Sequence, residues 1–114
     1  MPPESADPAP TGPVLVLSTV GTRQDAERIA QALVGERLAA CVNVAPGLLS
    51  TYRWKGAVAK EEELLLLIKT RAERVEELGA RLRALHPYEL PEMIVLAIAG
   101  GHGPYLDWIA DGVR

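Results

Sequence analysis

Apolar residues recur along the chain in two rhythms that take turns. Residues 14–20 (Val-Leu-Val-Leu-Ser-Thr-Val) form a short run rich in β-branched side chains, which predicts a buried strand. Ala26, Ile29, Ala30, Leu33 and Val34 then fall three and four apart, the spacing of one helical face. Thr22 ahead of them fits a helix N-cap, with Asp25 supplying negative charge in the first turn, and Gly35 fits the helix end. Residues 38–44 predict a second strand closed by Pro46-Gly47. Residues 48–54 predict a third, in which Thr51, Arg53 and Lys55 alternate with Tyr52 and Trp54 before Lys55-Gly56 turns the chain.

The rhythms then repeat. Residues 63–70 (Glu-Leu-Leu-Leu-Leu-Ile-Lys-Thr) predict a longer buried strand, and Thr70-Arg-Ala-Glu73 has the spacing of a capping box. Ala72, Val75, Leu78, Leu82 and Leu85 make the stripe of a second helix, with Gly79 a weakness inside it. Residues 93–99 predict a last strand. The loop Gly100-Gly-His-Gly103 follows, and Pro104 suits the first turn of a closing helix that buries Tyr105, Trp108 and Ile109. Two similar halves, 14–44 and 64–99, each run strand, threonine, helix, strand. That is the split β-α-β pattern, so the expected fold is an α+β, ferredoxin-like βαββαβ sandwich with a long hairpin and a short C-terminal helix.

Composition sets the limits of this picture. Residues 1–13 hold five prolines and no large aliphatic side chain, so they are expected to be a disordered tail before one domain spanning 14–114. The single cysteine, Cys41, cannot form an internal disulfide, which fits a reducing compartment. With no membrane-length apolar run and no signal-peptide pattern, the expected location is cytoplasmic. Net charge is −3; setting aside Glu4 and Asp7 of the tail leaves −1, no electrostatic footprint for nucleic acid or an anionic membrane. The central strands lack the aromatic side chains an RNA-binding version of this fold stacks on bases. One cysteine excludes a Cys-x-x-Cys metal-carrier loop, and the glycines at 100–103 lack the Lys-Ser/Thr of a phosphate-binding loop.

Strands apolar nearly throughout predict a sheet buried on both faces, which two helices on one side cannot achieve. Self-association is the simplest cover, with the aromatic hairpin of Tyr52 and Trp54 extending a neighbour's sheet, and a closed ring of three is expected.

The densest chemistry is His86-Pro-Tyr-Glu-Leu-Pro-Glu92, an imidazole, a phenol and two carboxylates held between two prolines. The plain reading is a helix stop and strand start; the functional one is a presented polar site. Cys41 reads as a buried structural thiol, His102 as a solvated loop residue, and Lys69 as a lysine at a strand end. Tyr52, Trp54 and Trp108 read as interface or core aromatics.

Residues 38–43 (Leu-Ala-Ala-Cys-Val-Asn), Tyr52-Arg-Trp-Lys-Gly56, Ile68-Lys-Thr70, the 86–92 block and Tyr105-Leu-Asp-Trp108 together resemble, in order and spacing, the CutA divalent-cation tolerance family. The likeness covers residues 14–114, and the 86–92 block is its most specific part. It implies a stable ferredoxin-like homotrimer linked to tolerance of copper and other divalent cations, architecturally similar to PII signalling proteins. The family's proposed copper ligands, a cysteine and two histidines, fall here on Ser18, Leu85 and His86, and only His86 is a good donor for copper. The expectation is therefore a non-enzymatic trimer with no obligatory cofactor, binding copper or another divalent cation weakly at His86. An inter-subunit pocket would hold Tyr52, Trp54, Lys69, Tyr88, Glu89, Glu92 and Trp108. The alternatives are a PII-like small-ligand signalling trimer and an enzyme using His86 or Glu89 as acid or base.

Overall fold

The computed structural model describes residues 12–114. Residues 1–11 of the expected tail lie outside the described part. Pro13 belongs to the body: it begins the first strand, and the Gly12 carbonyl accepts the Ala72 N–H at 2.8 Å.

The chain runs β1 (Pro13–Val20), α1 (Arg23–Gly35), β2 (Cys41–Trp54), β3 (Ala57–Arg71), a 3-10 turn (Ala72–Arg74), α2 (Val75–Leu85), β4 (Ile94–Ala97) and α3 (Gly103–Gly112). The strands form one antiparallel sheet in the order β2-β3-β1-β4, the ferredoxin-like arrangement the two repeated halves predict. Along β1, Val14, Val16 and Val20 point under the helices and are fully buried, as are Leu66 and Ile68 of β3. Ala26, Ile29 and Leu33 of α1, with Leu78 and Leu82 of α2, close the core from above. Burying each larger aliphatic contributes about 1.5–3 kcal/mol, so this one layer carries most of the fold's stability.

Four local expectations change in three dimensions. Pro46-Gly47 does not end a strand. It sits in a bulge where the register steps from Ala45 opposite Leu65 to Leu48 opposite Glu63, and β2 continues to Trp54. A proline is tolerated there because β2 is an edge strand and the bulge needs no ladder N–H. The hairpin therefore joins strands of 14 and 15 residues, with β3 starting at Ala57 rather than Glu63. Its turn, Lys55-Gly56, has φ of 50° and 83°, the paired positive values of a type I′ turn.

Thr70 is not a helix cap. It is the penultimate residue of β3, fully buried, and its hydroxyl donates to the Leu38 carbonyl at 2.7 Å. A 3-10 turn then leads into α2, whose N-cap, Arg74, makes no side-chain capping bond. Gly79 is less a weakness than a close approach: a Cβ there would lie 2.9 Å from Met93 Sδ. In α3 only Ile109 is buried, while Tyr105 and Trp108 stand 40% and 51% exposed. That short helix crosses one end of the sheet, where Gly112 meets Ala40 so closely that a Cβ would come within 3.2 Å of the Ala40 Cα.

Among the described residues no helical layer crosses the middle of the other sheet face. Leu15 and Leu17 of β1 and Leu65 and Leu67 of β3 are half-buried there, and β4 is exposed along its whole length, including Ile94 and Leu96.

Candidate functional site

The 86–92 loop begins as the helix stop its prolines require. His86 caps α2 with extended backbone (φ −77°, ψ 135°), as Pro87 demands, and its N–H closes the last turn on the Leu82 carbonyl at 2.9 Å. Its ring turns inward and is 7% exposed. Nε2 lies 2.8 Å from the Thr19 carbonyl, and the Tyr88 N–H donates to Nδ1 at 3.1 Å. A carbonyl can only accept, so Nε2 carries the proton and Nδ1 is the acceptor. The imidazole thus pins the loop to the end of β1.

Tyr88 extends that link. Its ring rests on the His86 ring, centroids 4.7 Å apart, and its hydroxyl donates to Glu63 Oε2 at 2.7 Å. Burial, and then the Glu63 carboxylate, push the Tyr88 phenol well above its ordinary range, so it stays a donor at all working pH values. Gly21 leaves room for it: a Cβ there would stand 3.2 Å from the phenol oxygen.

These contacts form one wall of a cleft of about 670 Å³ between the loop and the turn-side half of the hairpin. Tyr52 and Trp54 line it from β2, Glu61 and Glu63 from β3, Thr19 from β1, and Tyr88, Glu89, Leu90 and Glu92 from the loop. Glu63 is 7% exposed, and among the described residues no basic side chain pairs with it. Glu61 beside Tyr52 holds that phenol above its ordinary range. Arg53 is the one basic residue on the lining, against four glutamates.

Five of the expected pocket residues, Tyr52, Trp54, Tyr88, Glu89 and Glu92, are therefore brought together, and two are not. Lys69 lies at the far end of β3, donating to the Tyr105 hydroxyl at 2.9 Å; that contact raises its pKa. Trp108 stacks on Tyr105 with centroids 5.5 Å apart, beside Lys69 and away from the cleft. Glu61 and Glu63 escape the sequence reading because the long hairpin's register, not local pattern, sets them beside the loop. A signal existed in the charged run Lys60 to Glu63, which enters an apolar strand without a turn residue.

The copper positions do not make a metal centre in the single chain. Both His86 nitrogens are engaged, Leu85 packs against the core, and Ser18 is fully buried on the helical side of the sheet, its hydroxyl without a hydrogen-bond partner among the described residues. Among the described residues no three His, Cys, Asp or Glu side chains converge to hold an ion. Cys41 is half-buried, opposite Lys69, with Sγ 3.7 Å from Asn43 Oδ1. His102 is exposed at the start of α3, where its side chain makes no cap bond.

A four-stranded antiparallel sheet with two covering helices, a long hairpin and a polar loop after α2 defines a small α+β fold. Residues 14–112 match the model of the CutA1 divalent ion tolerance protein family. The divalent-cation tolerance protein CutA of Thermus thermophilus is 53% identical over 97 residues, spanning 85% of this chain and 94% of that protein. The chloroplastic protein CutA of Arabidopsis thaliana is 41% identical over 111 residues, spanning 97% of this chain and 60% of that protein. The crystal structure of CutA from Xylella fastidiosa superposes with a TM-score of 0.88 at 45% identity, covering 91% of this chain and all of that one. The chain belongs to the CutA1 divalent ion tolerance family. Among the described residues no helix is long and apolar enough to cross a membrane.

Proposed function

We propose that the chain works as a non-enzymatic, cytoplasmic homotrimer in divalent-cation tolerance, copper included, and that it holds cations weakly and with little selectivity in the acidic cleft beside the 86–92 loop. The carrying observation is the lining: Glu61, Glu63, Glu89 and Glu92 around one cavity with Arg53 as the only basic side chain. Hard oxygen donors that do not converge favour loose, mixed-metal binding over a tight copper site, which needs several nitrogen or sulfur donors together. The names of the relatives, as divalent-cation tolerance proteins, support the same reading. Against catalysis, His86 has no free nitrogen to act as a general base. An acidic lining also disfavours the phosphate-bearing ligands a PII-type sensor would take. The trimer is supported by the half-buried leucines of the open face and by Ile94 and Leu96 on its edge strand, apolar surface that a second and third copy would cover. The single free cysteine supports the reducing compartment.

Calorimetric titration with copper and zinc tests the site. Weak binding that drops at least tenfold in Glu61→Gln/Glu89→Gln/Glu92→Gln protein, while His86→Ala acts mainly by lowering thermal stability, is the expected result. Sub-micromolar copper binding that survives the triple substitution would overturn it. Sedimentation equilibrium of the parent is expected to return a trimer, and a monomer at micromolar concentration would remove that part of the reading.

A further inference from the structure

We draw no further inference here: the strongest candidate, the exposed surface patch of the stacked Tyr105 and Trp108 rings on α3 with Lys69 against it at the far end of the open sheet face, adjoins the apolar surface that neighbouring copies would cover, and nothing in the structure shows what covers the patch itself.

Discussion

The two β-α-β halves carry the same short pattern at the strand-to-helix corner, Thr22-Arg-Gln-Asp25 in one and Thr70-Arg-Ala-Glu73 in the other, and use it differently. At the first corner the hydroxyl is a cap: the Asp25 N–H donates to Thr22 Oγ1 at 3.1 Å, and the hydroxyl in turn donates to Asp25 Oδ2 at 3.0 Å. At the second the hydroxyl faces inward, is fully buried, and donates to Leu38 across the sheet's end. Glu73 is then left without a capping bond, and the chain tightens into a 3-10 turn before α2. A hydroxyl can donate and accept at once, so the difference lies in where the side chain points. Turned inward to meet the buried Leu38 carbonyl, Thr70 faces away from the amides of the following turn. Leaving that buried acceptor unmet would cost more than leaving an N–H to solvent.

Breaking this difference at its strongest point gives the largest expected effect. Thr70→Val keeps the side-chain volume, strands the Leu38 carbonyl, and is expected to lower stability by about 1–3 kcal/mol in chemical denaturation. Glu73→Ala, which would cost as much as a lost cap if the pattern worked as it reads, is expected to stay within about 0.5 kcal/mol. A Thr70→Val protein as stable as the parent, or a costly Glu73→Ala, would restore the capping box.

At the solvated corner the expected cost is smaller. Thr22→Ala removes a cap bond at a helix N-terminus and is expected to destabilise by about 1 kcal/mol. Its pH dependence sharpens the contrast. Arg28 first, then Thr22, hold the Asp25 carboxyl below its ordinary range. A carboxyl lowered in the folded state adds stability that is present above its unfolded pKa and is lost as pH falls through the folded one. Thr22→Ala should therefore flatten the acid limb of the stability–pH curve, whereas Thr70→Val should shift the curve downward without changing its slope.

The smallest effect concerns a third hydroxyl, Ser18, buried like Thr70 but with no partner among the described residues. Ser18→Ala removes that unmet group and is expected to be neutral or to stabilise by up to about 1 kcal/mol, read from the denaturation midpoint. A clear loss would reveal a partner for the hydroxyl in the assembled protein.

Much of the fold is legible in the chain. The β-branched run at 14–20, the helical stripes at 26–34 and 72–85, and the Lys55-Gly56 turn appear where the pattern puts them. Misreadings cluster where a local signal has two uses. Pro46-Gly47 spells a strand end but forms a bulge on an edge, and Tyr105 and Trp108 spell a buried face but stand half in water. The site is legible in part. The 86–92 block announces itself by its proline-framed polar residues, and Tyr52 and Trp54 by their aromatic bulk, yet its deepest carboxylate, Glu63, looks like the mere start of a strand.

The sequence by itself determined the order and type of the elements, because hydrophobic periodicity and turn chemistry act over a few residues and need no partner to be read. It also determined family membership, through motifs whose order and spacing survive as a string. Only the tertiary structure decided what each polar group does. His86 spends both nitrogens on Thr19 and Tyr88, Thr70 spends its hydroxyl on Leu38, and Glu61 and Glu63 meet Glu89 and Glu92 across a cleft. Those outcomes depend on which donors and acceptors the packed sheet brings within about 3 Å, and hydrogen bonds and charges are satisfied by neighbours in space, not by neighbours in the chain.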